Sequence, residues 1–414
     1  MKRIYGLEIR RILKNRKSFL IILFMIVLSV FFAWLPLYFV EIDRINSDGS
    51  VDNLHGKEAL EYLGPYYSDI EGEVTVDKLK DALTTYQDIR KKYGDEDAKI
   101  PKDVRFNQLK PAEALCRLLP VVYASEMNGN LIMKDLNAIS VDEVNNYYDQ
   151  CIQHIKDVCR VELKPQMAEE KALELYSNVE KPFYYHYGYT RDAFDYVEIC
   201  ILFIAFAVII SGATVFSYNY ETNADYIIRT TKNGKSKFAI SVMLANLTVS
   251  VFLYIVCIAI HLTISDTMFG MDTLKTSVQA LYDAISLPNL NLFELQMVLF
   301  VCGLITIISV SLCTFFVSAL CKKSVTALAI SIFALLIPII AYNIIGEPNV
   351  ISSILPSGGI GLQNSLLYQL VDFRFVSIGN VSLWSPMLTM AASAVEIPVL
   401  LVLSVVAYNK HKIG

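Results

Sequence analysis

The sequence VTALAISIFALLIPIIAYNII, at Val325–Ile345, runs for 21 residues without a charged side chain. A helix rises about 1.5 Å per residue, so about 20 apolar residues cross a hydrocarbon core about 30 Å thick. Five further apolar runs of 20 or more residues occur along the chain, and none of the six contains a Lys or Arg. Six membrane-spanning helices are therefore predicted, at Phe19–Val40, Val197–Phe216, Phe238–Ile264, Leu295–Ala319, Val325–Ile345 and Met387–Tyr408.

The composition also favours an all-α integral membrane protein. Of the 414 residues, 54% are hydrophobic and only 19% are charged, whereas soluble domains contain about 25% charged residues. The first apolar run follows a basic segment, as in a signal peptide. It is, however, 22 residues long, and no small-residue cleavage pattern follows it, so we expect it to remain as an uncleaved anchor.

The basic residues near the ends of the runs predict the orientation. The two short loops on one side, 265–294 and 346–386, contain only Lys275 and Arg374. The segments on the other side contain 15 Lys and Arg in total, in 1–18, 218–237, 322–323 and 409–414. Because Lys and Arg concentrate in cytoplasmic loops, we expect a multi-pass protein of the cell membrane with both termini in the cytoplasm.

A large segment, 41–196, separates the first two spans and is expected to be an extracellular domain. Residues 41–192 contain 29 Asp and Glu against 19 Lys and Arg, a net charge of 19 − 29 = −10. The pattern predicts a mainly helical domain with its own small core and with helices over Val76–Tyr93, Val141–Val158 and Met167–Val179. The rest of the chain divides into a cytoplasmic amphipathic elbow helix (1–18), the first span (19–40), the other five spans (197–408) and a cytoplasmic tail (409–414).

The sequence contains no recognisable catalytic, metal or cofactor motif. The tetrapeptide Asn233-Gly234-Lys235-Ser236 ends as a P-loop does, but the glycine required five residues before Gly234 is replaced by Arg229. We therefore predict that the chain is not an enzyme and binds no cofactor, metal or nucleic acid. The eight cysteines form no metal signature, and their spacing allows Cys116 to form a disulfide with either Cys151 or Cys159.

The loop after the second span, 217–237, contains an acidic and aromatic stretch followed by a basic turn. Glu221 comes early in this loop, and the turn reads Arg229-Thr230-Thr231-Lys232-Asn233-Gly234-Lys235. In this order of residues the loop resembles the cytoplasmic coupling loop of permease subunits of ABC-2-type transporters. The Gly-Thr pair that usually follows the acidic residue in that family is replaced here by Ala224-Asp225.

Three further features resemble the same family. The basic segment 2–18 is similar to the interfacial elbow helix, with one apolar face formed by Tyr5, Ile9, Ile12 and Leu13. The inserted domain resembles the subgroup that includes sodium-efflux permeases and the half-repeats of lipid-exporting A-type transporters. In the loop 346–386, Leu355–Gly359 followed by Ile360–Val371 is similar to the re-entrant outer helices of ABC-2 folds.

The resemblance implies the membrane subunit of an ABC exporter for a peptide, an antibiotic, a lipid or an ion. Such a subunit works in the bilayer with a second permease subunit, as a homodimer or a heterodimer, and with a separate ABC ATPase subunit that hydrolyses ATP. The residues implied to couple this chain to the ATPase are Glu221, Arg229, Thr230, Thr231, Lys232, Gly234 and Lys235.

A carboxylate near the middle of the sixth predicted span, Glu396, is a candidate for the translocation path. An ionisable group at this depth usually faces the helix bundle or a water-filled cavity. The alternative is a structural role, in which a protonated Glu396 bonds to a carbonyl that Pro398 leaves without its helical partner. His261, near the end of the third span, is expected at the membrane interface.

Three other classes of membrane protein match the sequence less well than an ABC permease. A receptor or sensor with an extracellular ligand-binding domain would normally carry a cytoplasmic signalling domain, but the longest inner segment here has about 20 residues. Transport-linked permeases with four spans do not match the count of six. A secondary transporter would show paired broken helices in two halves, which the large insertion makes hard to recognise.

The charge asymmetry predicts which sites a membrane-impermeant thiol reagent reaches on intact cells. After removal of the native cysteines outside the spans, a cysteine at Ser68 or Ser140 should be labelled from outside, and one at Asn233 should react only after the cells are permeabilised. Labelling of the Asn233 site alone on intact cells would reverse the orientation.

Overall fold

The computed structural model describes residues 1–45, 51–163, 166–346, 348–361, 363–379 and 381–411. Six helices are long and apolar enough to cross a membrane, and this confirms the predicted all-helical membrane fold. They are named spans one to six in chain order. Their bounds are Arg16–Tyr38, Arg191–Gly212, Ser236–Phe269, Leu292–Leu320, Ser324–Ile345 and Ser385–Lys410.

The bundle has two distinct ends. The N-terminal helix, the last turn of span six and the loop 217–237 lie at one end, which we name the termini end. We call this loop the coupling loop after the family loop that it resembles. The inserted domain and the two loops 270–291 and 346–384 lie at the other, the domain end. The short helices outside the spans are Lys2–Lys14, Gly56–Tyr67, Val76–Tyr93, Lys102–Val104, Lys110–Cys116, Leu119–Val122, Tyr147–Val158, Gln166–Ser177, Ser217–Glu221, Ala224–Thr230, Val278–Leu281, Val350–Ile354 and Leu366–Val371.

Four antiparallel strand pairs occur in the described part of the chain, all at the domain end. None has more than five residues per strand, so each is a local hairpin or bridge and not a sheet that could carry a domain. The pairs are Glu41–Ile45 with Val51–His55, Gly72–Glu73 with Tyr184–Tyr185, Ser125–Met127 with Asn130–Ile132, and Phe375–Ile378 with Val381–Trp384.

The basic N-terminal segment forms a separate helix, Lys2–Lys14, that ends just before span one. Asn15 is extended, and its side chain accepts a 3.0 Å hydrogen bond from the backbone two residues later, so the chain changes direction there. The helix packs against span three, where the Tyr5 hydroxyl lies 3.0 Å from that of Thr248. On the predicted apolar face, Ile12 is buried and Leu13 is 52% exposed.

The predicted helices of the inserted domain are present with adjusted bounds. Val76–Tyr93 begins after Thr75, whose hydroxyl accepts a bond from the Lys78 amide. Val141–Val158 is divided into a 3₁₀ turn at Glu143–Asn146 and a helix from Tyr147. The third predicted helix occupies Gln166–Ser177.

The buried core of the inserted domain extends into the rest of the molecule, so the small core that the sequence predicts is not confined to the domain. Its buried aromatic and aliphatic side chains pack against Ile285 and Leu287 from the loop between spans three and four. The Tyr176 hydroxyl donates a 2.9 Å hydrogen bond to the Ala284 carbonyl in the same loop. The domain is therefore fixed directly to the domain end of the bundle.

All eight cysteines are free. Cys116, Cys151 and Cys159 are buried in the core of the inserted domain, and neither of the two disulfides that the spacing allowed is formed. Burial raises the pKa of each of these three thiols to about 12, so all three are protonated at neutral pH and unreactive.

The loop between spans five and six turns back into the bundle around Gln369. Its side-chain amide donates 2.8 Å bonds to the carbonyls of Gly358 and Asn364 and accepts bonds from the hydroxyls of Ser385 and Thr389. The side chain of a single buried glutamine thus joins the turn after span five to the start of span six. This arrangement is consistent with the predicted re-entrant segment.

Candidate functional site

The coupling loop consists of two short helices and a tight turn. The helices are Ser217–Glu221 and Ala224–Thr230, and Asn223 between them has φ +58°. A left-handed backbone is costly for most side chains, and Asn is one of the few that adopt it. Asn223 therefore provides the break between the helices, next to the positions where the related loops usually have Gly-Thr.

Arg229, which the family resemblance implied to contact the ATPase, is instead held inside the loop. Its side chain is 7% exposed and lies 3.6 Å from the carboxylate of Asp225, which is 4% exposed and precedes it by one helical turn. The guanidinium donates a hydrogen bond to the Tyr408 carbonyl and lies 4.5 Å from the centre of the Tyr408 ring. The side chain therefore connects the coupling loop to the end of span six.

Tyr408 is fully buried at the centre of this arrangement. Its hydroxyl donates a 3.1 Å hydrogen bond to the Gly234 carbonyl, so both ends of the loop contact the same side chain. The rings of Phe216 and Phe238, at the two membrane borders of the loop, lie 4.9 and 5.9 Å from its ring. The loop is thus packed around an aromatic residue from a distant part of the sequence.

The last described residues of the chain add two further contacts. The His411 ring stacks on Tyr220 with a centroid distance of 3.8 Å and an interplanar angle of 4°. Burial lowers the pKa of His411, with a further contribution from the charge of Arg229, so the ring stacks in its neutral form at pH 7. The Asn409 amide donates a 2.7 Å bond to the Ser236 hydroxyl at the start of span three.

Gly234 is required by the shape of the turn. A β-carbon at this position would lie 1.6 Å from the carbonyl oxygen of Ile228, far inside van der Waals contact. The glycine that resembles part of a P-loop therefore allows a close approach of two backbone segments. No phosphate-binding role is needed to explain it.

Two contacts attach the coupling loop to spans four and five. The Ser318 hydroxyl, at the end of span four, accepts bonds from the backbone amides of Phe216 and Ser217 at 3.0 and 3.1 Å. The Glu221 carboxylate accepts a 3.2 Å bond from the amide of Ser324, the first residue of span five. A negative charge at a helix N-terminus is favourable, because the first amides of the helix lack partners.

The rest of the loop forms an accessible surface. Ile227 and Tyr226, on the second short helix, are 75% and 39% exposed. Glu221, Thr230, Thr231, Lys232 and Lys235 are exposed around them. Of the seven residues expected to contact an ATPase, five thus lie on the surface, whereas Arg229 and Gly234 hold the loop in shape.

Glu396 lies in span six at a partly exposed position. Its carboxylate accepts a 2.8 Å hydrogen bond from the Ser309 hydroxyl of span four. The neighbouring Val395 and Val399 are 65% and 48% exposed, so this face of the helix is open within one copy of the chain. Glu396 thus accepts a hydrogen bond from a side chain. This differs from the predicted alternative, in which Glu396 donates to a backbone carbonyl beside Pro398.

Two buried ionisable groups were not selected from the sequence. Glu198 of span two is 2% exposed, and neither carboxylate oxygen has a hydrogen-bond partner among the described residues. His261 of span three is fully buried within the bundle, and both of its ring nitrogens likewise lack a hydrogen-bond partner in the described structure. Glu198 falls inside an apolar run, and that position is the signal by which it could have been found.

The buried position of Arg229 predicts a large effect of its removal. Arg229→Ala leaves the Asp225 carboxylate buried without its ion-pair partner, which costs about 3–5 kcal/mol in comparable pairs. We expect a clear fall in the melting temperature of the detergent-purified chain. Lys232→Ala, which removes an exposed charge from the same loop, should change the free energy of unfolding by less than about 0.5 kcal/mol.

The double variant Asp225→Ala/Arg229→Ala separates charge burial from lost packing. It should be more stable than Arg229→Ala, because no unpaired charge remains. Equal melting temperatures for Arg229→Ala and Lys232→Ala would contradict this description of the loop.

Comparison with known proteins agrees with this architecture. A family model described as ABC-2 family transporter protein matches residues 16–406. No curated protein matches the chain, and no solved structure does. Because the family match includes all six spans, the inserted domain and the coupling loop, this chain belongs to the ABC-2 transporter family and is the membrane permease of an ABC transporter.

Proposed function

We propose that this permease is half of an exporter whose termini end faces the cytoplasm and whose inserted domain lies outside the cell. The charge distribution supports this orientation, because 15 of the 17 Lys and Arg outside the predicted spans and the 41–192 segment lie at the termini end. The inserted domain between spans one and two supports placement in the subgroup with a large outer domain. A partner ATPase then hydrolyses ATP, and this chain forms half of the path that the substrate follows across the membrane.

The surface proposed to dock the ATPase is formed by the exposed residues of the coupling loop. Ile227 offers an apolar side chain that is 75% exposed, and Glu221, on the preceding short helix, offers an exposed carboxylate. Exposed apolar residues surrounded by polar ones are typical of protein–protein contacts. The elbow helix Lys2–Lys14 is the other sizeable described surface at this end.

The observation that carries this proposal is the attachment of the loop to four spans. The loop continues directly from span two, its amides bond to Ser318 of span four, Glu221 bonds to the first amide of span five, and Arg229 bonds to Tyr408 of span six. A displacement of the loop by an ATPase is therefore transmitted to several helices at once, because packed helices move as rigid elements.

Glu221 belongs both to the proposed ATPase-docking surface and to the contact between the loop and span five. A carboxylate that accepts charge-assisted bonds from a partner contributes about 1.5–3 kcal/mol. We expect Glu221→Ala to weaken co-purification of the ATPase or to uncouple ATP hydrolysis from transport, while the chain still inserts and dimerises. Lys235→Ala should act more weakly, because a single exposed charge near lipid headgroups contributes about 1 kcal/mol.

Glu221→Gln is the matched control, because it keeps an oxygen that can accept the bond from Ser324 but removes the charge. Loss of ATPase binding in both Glu221 variants identifies the charge as the docking feature. Loss in Glu221→Ala alone assigns the effect to the attachment of span five. Wild-type behaviour of Glu221→Ala in both assays would remove the docking role from this loop.

We further propose that a second permease subunit completes the path beside span six. Only 11% of the apolar stretch of span six is buried within the chain, the lowest share of the six spans. Glu396 lies on this helix with one bond to Ser309. In a dimer that places two sixth spans near the path, each carboxylate would line it from its own side.

Glu396→Gln tests this role without a change in side-chain size. We expect normal expression and ATPase co-purification, because the amide can still accept the bond from Ser309. Transport in reconstituted membranes should fall, or its dependence on pH should disappear, because the titratable group has been removed. Unchanged transport with an unchanged pH profile would leave Glu396 with a structural role only.

A further inference from the structure

A cavity of about 370 Å³ lies at the domain end, between the inserted domain and the start of span two. Its apolar wall is formed by Val40, Leu60 and Leu281. Arg191, another lining residue, is the first residue of span two, and Val40 follows the end of span one. The cavity therefore lies beside the first turn of span two and the end of span one.

Two arginines meet in this cavity without an acidic partner. Arg117 donates a hydrogen bond to the Ala280 carbonyl, and Arg191 donates to the carbonyls of Leu281 and Tyr282. Both arginines line the cavity and bond to carbonyls of the same turn, at Ala280, Leu281 and Tyr282. Within the described part of the chain, neither forms an ion pair within 4.0 Å.

The acidic residues near the cavity do not neutralise this pair. Glu113 lines the cavity, but its two oxygens already bind Arg90 at 2.8 Å and Lys110 at 2.9 Å. Asp195 and Asp283 act on Arg191 only from beyond ion-pair distance. Two positive charges therefore remain together in the cavity.

Both guanidinium groups are available to a ligand. Arg117 and Arg191 are exposed to solvent through the cavity, although protein surrounds them. A guanidinium carries five N–H donors, and the protein provides acceptors for only one from Arg117 and two from Arg191. Burial lowers the pKa of Arg117, and repulsion from Arg191 adds to the lowering, as expected for an uncompensated pair.

Hydroxyl groups complete the donor set. Tyr67 and Tyr185 line the cavity, and their hydroxyls have no hydrogen-bond partner among the described residues. The Tyr185 ring lies 5.9 Å from the Arg117 guanidinium carbon. The buried hydroxyl oxygen of Thr190, on the same wall, also lacks a partner in the described structure.

We propose that this cavity binds the phosphate group of an amphiphile, with Arg117 and Arg191 as the ligating residues and the apolar wall in contact with its hydrocarbon part. A phosphate monoester carries about −1.5 to −2 charges at pH 7 and three strong acceptor oxygens, which match two guanidinium groups and nearby hydroxyls. One carboxylate, with a single charge, would neutralise only half of the pair. Arginine forks bind phosphate in the bidentate manner.

The experiment measures binding to the full-length chain, purified in a neutral detergent without the ATPase. The probes are dihexanoyl phosphatidic acid and inorganic phosphate, and dihexanoylglycerol is the control that lacks the phosphate. Binding is measured by titration calorimetry and by the rise in melting temperature, since a ligand that binds only the folded state stabilises it. The phosphatidic acid should bind, and dihexanoylglycerol should not.

Arg117→Gln and Arg191→Gln should each weaken binding by about tenfold or more, since a hydrogen bond to a charged group is worth about 1.5–3 kcal/mol. Arg160→Gln is the matched control, because Arg160 is an exposed arginine of the same domain that does not line the cavity. Arg117→Lys keeps the positive charge but loses the paired N–H donors of the guanidinium. Its loss of affinity should be intermediate between wild type and Arg117→Gln. It also remains informative if Arg191→Gln fails to fold.

The two probes distinguish the source of the phosphate. Much tighter binding of phosphatidic acid than of inorganic phosphate identifies a lipid headgroup site, and equal affinities identify a site for free phosphate. Absence of binding by both probes, or unchanged binding in both glutamine variants, overturns the proposal. Because the assay contains no ATPase, its failure leaves the coupling proposed for the 217–237 loop untouched.

Discussion

A hydrocarbon core offers no hydrogen bonds to the polypeptide backbone, and this constraint determines where the chain can be irregular. Within a span every amide and carbonyl must bond inside the helix. Turns, short helices and strands are consequently confined to the two ends of the bundle, where water or protein groups can satisfy them. The loop between spans five and six contains buried turns of this kind, and Gln369 donates hydrogen bonds to two of its backbone carbonyls.

The same constraint explains why the termini end is tightly connected. A loop of about 20 residues between two spans has too little apolar surface to fold alone. It obtains a core by packing around Tyr408, which lies near the end of span six at the same end of the bundle. The cost of burying Arg229 is offset by Asp225, a backbone carbonyl and an aromatic ring. Stability and transmission of movement therefore depend on the same contacts.

The sequence predicts the spans well because membrane insertion depends on composition over about 20 residues. It predicts Val76–Tyr93 to the residue because the signals that start and end this helix are local. The position of Arg229 was predicted wrongly for the opposite reason. Asp225 lies four residues before it and was visible as a possible partner, but Tyr408 lies 179 positions further along the chain, and no local pattern connects the two.

The arginines at the two ends of the molecule have contrasting environments. At the termini end, Arg229 is buried beside the Asp225 carboxylate and bonds to the Tyr408 carbonyl, so its charge stabilises the loop. At the domain end, Arg117 and Arg191 bond only to neutral carbonyls. Neighbouring cations repel each other, and exposure to solvent reduces but does not remove that cost. A fold that needed only to fix the 278–282 turn could use neutral donors, so the two charges are better explained by the proposed anion. No sequence pattern reveals this pair, because 74 positions separate the two residues and their acceptors come from a third segment.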